Sequence, residues 1–297
     1  MRDSREMTIA VLAGAAILLC AVLVFGEPPE QTLFWGAVFD GGHPPMFGGF
    51  ALLVLILLSR WRGKGIGLYL LAFAASLGLG IASELLQALW STDANPGDVL
   101  RDAIGIAAFL LCYAAFDWKR RRTGLLLIAG AIFFSAYIPI IATFRAYVKR
   151  DAAFPVIFNF DASWQEPFLQ TNLCSVLPHG RLIFRPGEYP GISIEEPYPD
   201  WNGWDRLIFR VSSALARPVA LVVRIDDIHH NNEYGDRFNR AFTIAPGDNA
   251  IAIPIADIGA APRIRKFDLA HVRRILLFVP APMESLTLEV SALRLIK

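Results

Sequence analysis

Apolar residues run in long blocks up to about residue 145, then give way to short alternating stretches, so the chain reads as two halves built for different solvents. A bilayer core of about 30 Å needs roughly 20 residues of apolar helix, the one single-segment structure that satisfies its own backbone in lipid. Met7–Phe25, Gly65–Leu89 and Gly124–Phe144 meet that length. Asp102–Trp118 and Met46–Ser59 are shorter and rely on interfacial Trp and Arg anchors. The pattern predicts an α-helical transmembrane bundle of about five spans. The stretch Leu33–Phe39, followed by Gly41, Gly42, Pro44 and Pro45, is expected to be re-entrant or interfacial and to complete the second crossing. The first span is read as an uncleaved helix, because no small-residue cleavage site precedes Glu27 and further apolar runs follow.

From about Arg150 onward the period shifts to two. Leu221, Val223 and Ile225 alternate with Val222, Arg224 and Asp226, and Leu286, Leu288 and Val290 alternate with Thr287, Glu289 and Ser291. Further strands are predicted at Val156–Phe160, Arg181–Phe184, Asp205–Val211, Phe238–Ile244, Ala250–Ile255 and Arg274–Val279, separated by turn signals such as Pro246-Gly247-Asp248-Asn249. Short strands with no long amphipathic helix between them predict an all-β jelly-roll sandwich. The expected domains are residues 1–147, helical, and 148–297, β.

Composition supports this division: 55% of the residues are apolar and the net charge is +1. No basic stripe with interleaved aromatics marks the polar half, which argues against nucleic acid as a partner. Cys20 and Cys112 fall in apolar runs and only Cys174 in the polar half, so the thiols are read as packing groups and not as a disulfide framework. Basic residues in short loops resist translocation. Arg2 and Arg5, then Arg60, Arg62 and Lys64, then Lys119 to Arg122, sit at alternate ends of the spans and are assigned to the cytoplasm. With five spans the domain after Arg145 is then extracytoplasmic. Arg145, Lys149 and Arg150 point the other way, but a long domain translocates largely regardless of such charges.

In this topology the polar residues of the membrane half gather at the outer face: Asp40, His43, Glu84, Gln87, Asp93, Asp98, Arg101 and Asp102. Glu84 and Gln87 share a helix face, and Asp98 and Asp102 open the next helix, with Asp98 a cap candidate. Acidic residues favour helix N-termini, so capping and topology are an alternative account of the aspartates. An ionisable group inside an apolar run, such as Glu84, more often faces a bundle interior or a polar cavity. The run Glu84-Leu-Leu-Gln87, a polar loop, and Asp98-x-x-x-Asp102-x-x-Gly105 resembles the second signature of VanZ-like membrane proteins, and Asp40-x-x-His43 looks like a shortened first signature. That family usually has a basic residue in the loop and Asn where Asp102 stands. The resemblance implies an envelope role, with low-level glycopeptide resistance in one branch and no settled biochemical activity.

The polar half carries Tyr189-Pro190-Gly191, Asp200-Trp201, Arg224-Ile225-Asp226-Asp227, Asp236-Arg237-Phe238-Asn239 and the Pro246 turn, an order that resembles galactose-binding-like and carbohydrate-binding-module jelly rolls. Trp201, Trp204 and Tyr234 lie near Asp226, Asp227, His229, His230, Asn231, Asn232, Arg237 and Asn239. Aromatic faces suit the C–H side of a pyranose, while amides and carboxylates suit its hydroxyls. Each residue also has a plainer reading. The tryptophans can pack in the core, the histidines can be a solvated loop, and Arg224, Asp226 and Arg237 can form a buried ion network. Asp226 and Asp227 either end a strand or hold a structural calcium.

The leading functional expectation is therefore an envelope protein whose outer domain binds a glycan or glycoconjugate, with membrane lipid and a lipid-linked sugar as further partners. The alternative is a membrane enzyme acting on an envelope lipid or lipid-linked sugar through Glu84, Asp98 and Asp102. A transporter ranks third. The sequence contains no phosphate loop, no H-E-x-x-H zinc motif and no nucleophile-plus-base signature.

Overall fold

The apolar blocks form helices. A computed structural model describes residues 2–26, 28–62, 65–90 and 95–297. Lys64 and Asp93 lie outside the described residues, as do the side chains of Arg2, Arg5, Cys20 and Arg62. Contacts divide the chain into two compact units, Met1–Ala142 and Thr143–Lys297.

The helical unit contains α1 (Arg2–Phe25), α2 (Leu33–Asp40), α3 (His43–Arg62), α4 (Ile66–Trp90), α5 (Pro96–Asp117) and α6 (Arg122–Ser135), and α7 (Ile138–Ala153) runs across the division. Thr32 starts α2 by accepting the Trp35 N–H at 3.2 Å, and Asn95 starts α5 by accepting the Gly97 N–H at 2.9 Å with Pro96 as the first helical residue. The fourth expected span therefore begins at Pro96 and not at Asp102, and the cap is Asn95, not Asp98. The span expected at Gly124–Phe144 is broken: α6 and α7 meet at 45°. Among the described residues, Leu33–Arg60, Ile66–Leu89 and Pro96–Asp117 are each long and apolar enough to cross a membrane, and the bent pair would make a fourth crossing. The expected count of five is thus not shown. The segment at Leu33 is an ordered helix feeding α3.

Helix α3 packs along α5, and both contact α4. Two glycines set the α3–α5 distance. A Cβ on Gly105 would collide with the Pro44 backbone, and one on Gly48 would lie 2.8 Å from the Gly105 carbonyl oxygen and against the Phe109 ring. Phe47, Ala51, Val54, Leu55, Ala72 and Ile106 fill the interior, while large apolar side chains such as Leu70, Leu85 and Leu127 point outward.

The second unit is two antiparallel sheets. Its strands are β1 (Val156–Phe158), β2 (Leu169–Asn172), β3 (Cys174–Leu177), β4 (Arg181–Phe184), β5 (Gly191–Glu195), β6 (Arg206–Ser213), β7 (Val219–Asp227), β8 (Phe238–Ile244), β9 (Gly247–Pro254), β10 (Val272–Phe278), β11 (Leu286–Val290) and β12 (Leu293–Ile296). The seven-stranded sheet centres on β6, which has β9 on one flank and β11 and β12 end to end on the other. The five-stranded sheet runs β2-β5-β10-β7-β8. Leu182, Leu207, Val211 and Leu288 from the first sheet meet Ile194, Leu221, Val223, Ile225 and Ile275 from the second in one core. Strands β2, β3, β5 and β12 were not expected from the pattern; β2 and β3 show no alternation of core and surface residues. The Pro246 signal is a true turn: Gly247 has φ of 86°, and Asn249 accepts the Ala245 N–H at 2.9 Å.

The α3–α5 contact yields the first prediction. Gly105→Ala should overpack it and lower the melting temperature of the detergent-solubilised protein, at a cost of about 1–3 kcal/mol. Gly124→Ala, where a Cβ meets nothing within 4 Å, should be neutral or raise it. Equal effects at the two sites would remove the close approach as the reason for Gly105.

Candidate functional site

Polar residues of the helical unit come together as the pair His43–Asp102 and as Arg101 held between Asp40 and Asp98. Helix α3 begins with His43 and α5 carries Asp102 on its buried face, so the glycine-spaced crossing sets His43 Nδ1 2.9 Å from Asp102 Oδ1. Both groups are buried, Asp102 completely, and the His43 ring stacks on Phe47. Arg101 bonds Asp98 one turn back and reaches Asp40 at the end of α2, at 2.9 Å. Glu84 on α4 accepts the Asn95 N–H at 2.9 Å and so ties α4 to the cap of α5. Its Oε1, like Asp102 Oδ2, is buried with no hydrogen-bond partner among the described residues. Gln87 lies half-buried on the same helix. These bonds fasten α3 to α5 and α4 to the start of α5.

In the β unit the structure changes the expected site. Trp201 is 0% exposed within the core, and its indole N–H donates to the Tyr198 carbonyl at 2.8 Å, so it cannot be a sugar platform. Trp204 is half-buried edge-on to Phe154, which stacks on Tyr198. Asp226 and Asp227 are consumed by arginine. Strand alternation on β7 turns Asp226 away from the core, where Arg224 and Arg274 each bond it at 2.7 Å. Asp227 receives Arg265 at 2.5 and 2.7 Å and the Asp268 N–H at 2.7 Å. Arg265 also binds Asp236 at 2.6 Å. A calcium at Asp226 and Asp227 is therefore corrected: guanidinium hydrogens already occupy the carboxylate lone pairs, and no cluster of three potential metal ligands occurs among the described residues.

The loop residues mostly build the loop. His230 accepts from Arg224 at 3.0 Å through Nε2, so its Nδ1–H donates to the Asp236 carbonyl at 3.1 Å. Asn231 donates its N–H to Asp236 at 3.0 Å and accepts the Glu233 N–H, while exposed His229 lies beside Asp268. Tyr234 is exposed, accepts the Asn239 amide at 3.0 Å and lies under the Arg237 guanidinium. Burial pushes the Asp226 carboxyl up, but its bonds to Arg224 and Arg274 outweigh that and hold it below its ordinary value. The bond from Arg265 holds Asp236 low as well. Burial pushes the Cys174 thiol up to about 11, away from reactivity.

What the sequence did not reveal is a groove of about 420 Å³ on the outer face of the five-stranded sheet. Pairing aligns Gln170, Ser193, Leu276, Arg224 and Asn239 in one row across all five strands, and Asn172, Gly191 and Phe278 in the next. Tyr189 stands at its rim, edge-on to Phe278 and half exposed, and Glu195, Arg237 and Arg274 close the other end. Of the expected glycan-binding residues only Arg237 lines this groove. The alternating Gly191-Ile192-Ser193-Ile194-Glu195 was the available signal, but strand order alone makes these residues neighbours.

The arginine-held carboxylates give a pH dependence. Because the folded-state values are lowered, this stabilisation is complete above the ordinary carboxylate value of 3.8 and is lost as pH falls through the folded values. Thermal melts of the full chain in detergent should show the β unit weakening below pH about 4. Asp226→Asn should lower its stability by about 3 kcal/mol at neutral pH and flatten the acid slope. A mutant slope as steep as that of the wild type would show that Asp226 does not carry the effect.

No family model matches the chain, and no curated protein matches it, so membership of the VanZ-like family is not shown. The similarity found is to solved structures and concerns the β-sheet unit. An exo-beta-agarase matches at 16% identity over 47% of this chain and 24% of its own length, with a TM-score of 0.37. The family 11 carbohydrate-binding module from Clostridium thermocellum, in complex with a beta-1,3-1,4-mixed-linked tetrasaccharide, matches at 18% identity over 43% of this chain and 82% of its own, with a TM-score of 0.32. A family 28 module specific for non-crystalline cellulose matches at 12% identity over 48% and 94%, with a TM-score of 0.34. The chain spans about a quarter of the length of the agarases that it matches.

Proposed function

We propose that the protein is a membrane-anchored envelope protein whose β unit captures a glycan in the groove of the five-stranded sheet, outside the bacterial cytoplasmic membrane. The observation that carries this reading is the make-up of the groove. Aromatic Tyr189 and Phe278 stand on the same face as Gln170, Asn172, Ser193, Glu195 and three arginines. A sugar presents an apolar C–H face and a rim of hydroxyls, and this mixture complements both. Long apolar helices support anchorage, and the alternating basic clusters support an outward β unit.

Glycan-array screening of the full chain in detergent should identify a saccharide bound at micromolar to millimolar affinity, as expected for a shallow polar site. Tyr189→Ala with Gln170→Ala should weaken binding about tenfold or more, whereas Trp204→Ala should not change it beyond any loss of fold. A silent array, or binding that survives the groove variants, would overturn the reading.

Topology is tested separately. In a cysteine-free background, a cysteine at His179, whose side chain is 87% exposed, should react with an impermeant thiol reagent on intact cells, and one at Arg121 should not. The opposite pattern would place the β unit inside.

A second reading has one observation behind it. The unpartnered buried oxygens of Glu84 and Asp102 would suit a membrane enzyme drawing on Glu84, Asp98 and Asp102 for acid/base chemistry toward a lipid-linked sugar. Turnover of such a lipid by the purified chain, lost in Glu84→Gln, is the result that would favour it.

A further inference from the structure

The groove carries an excess of positive charge at one end. Three arginines and a single glutamate line it, and Asp226 beneath is already bonded by two of those arginines. Glu195 accepts the Ser193 hydroxyl at 2.5 Å. Arg237 differs from its neighbours: its Nε is buried without a hydrogen-bond partner among the described residues, and its guanidinium rests over the Tyr234 ring. A buried guanidinium N–H without an acceptor costs free energy, and nothing in the fold's core requires it there. Burial and the charge of Arg224 hold the Arg237 guanidinium below its ordinary value, against the opposing charge of Asp226, and no carboxylate among the described residues is bonded to it.

Neutral sugars leave that deficit in place, because a hydroxyl brings no charge. A carboxylate or sulfate ester removes it, since its paired oxygens match the guanidinium fork and give charge-assisted hydrogen bonds. Tyr189 and Phe278 at the opposite end remain available for the apolar side of a ring, so both charge and stacking fit along one groove.

We infer that the ligand of this groove is an acidic saccharide, bearing a uronate carboxylate or a sulfate ester, with Arg237 as the residue that takes its anionic group. The inference rests on the sheet-face reading above and narrows it to a ligand class. Arg224 and Arg274 add positive potential but are engaged with Asp226, so Arg237 is the specificity-determining contact.

The test uses the full chain in a neutral detergent and titration calorimetry with four probes: trigalacturonate, a sulfated disaccharide, cellotriose and tetraglutamate. One or both acidic sugars should bind at least about tenfold tighter than cellotriose. Arg237→Gln should cost that ligand about ten- to a hundredfold, the worth of charge-assisted hydrogen bonds, with Arg237→Lys recovering part. Arg210→Gln, on the other sheet, should leave affinity unchanged. Which acidic sugar binds tells carboxylate from sulfate. If cellotriose binds as well as the acidic sugars and Arg237→Gln has no effect, the inference fails while glycan capture stands. If no saccharide binds, both fail. Tighter binding of tetraglutamate, or equal losses in Arg210→Gln, would reduce the cluster to an unspecific anion patch and overturn the inference. Should Arg237→Gln unfold, Arg237→Lys decides: wild-type affinity with a lysine, which lacks the planar fork, would also overturn it.

Discussion

A carboxylate removed from water is tolerable only when its charge is met at contact distance, and Asp226 is met twice. Arg224 and Arg274 bond it from the same strand and from the neighbouring one, each at 2.7 Å. Arg224 in turn bonds His230, His230 bonds the Asp236 carbonyl, and Arg265 joins Asp236 to Asp227. One continuous polar network therefore fastens β7 and β10 to the loop between β7 and β8 and to the segment at Arg265. The groove floor depends on it, because without Asp226 two of its arginines would repel one another. Arg237 lies beside them with its Nε unpartnered among the described residues.

The helical unit solves a similar problem with fewer groups. His43 and Asp102 meet because Gly48 and Gly105 let α3 and α5 approach closely, and Arg101 draws Asp40 and Asp98 together at the same end. Polar contacts between apolar helices specify register, since a shift of one turn would leave each group buried and alone. Close packing and polar pairing are thus one device seen from two sides. In the β unit the same ionic chemistry borders an open groove; between the helices it is buried.

Periodicity alone determined much of the architecture. Long apolar blocks and period-two stretches divide the chain into helices and strands, because a long apolar run suits a helix apolar all round and an alternation of two suits a strand with one face in a core. Strand ranges such as Arg181–Phe184, Phe238–Ile244 and Leu286–Val290 were legible in full, since each alternates core and surface residues. The clustering of Asp40, His43, Asp98, Arg101 and Asp102 was also legible, as short connections force consecutive helices to turn back on one another. Their pairing was not: that His43 meets Asp102 while Arg101 bridges two aspartates follows from rotation about the helix axes, which the Asn95 cap and the glycine contact decide.

Tertiary structure decided which polar residues line the open groove and which serve the fold. Trp201, Asp226 and Asp227 have the composition of a sugar site, yet packing places the first in the core and arginine from distant segments claims the other two. Conversely, Gln170, Ser193 and Leu276 carry no local signal, and Arg224 and Asn239, grouped in the sequence with the loop after β7, lie with them on the sheet face. They form one row only because the sheet orders its strands β2-β5-β10-β7-β8, a sequence of neighbours set by how two sheets close over a shared apolar core. A repeat along the chain records which face a side chain takes; it cannot record which strand will lie beside it, because that is fixed by contacts between residues far apart in sequence.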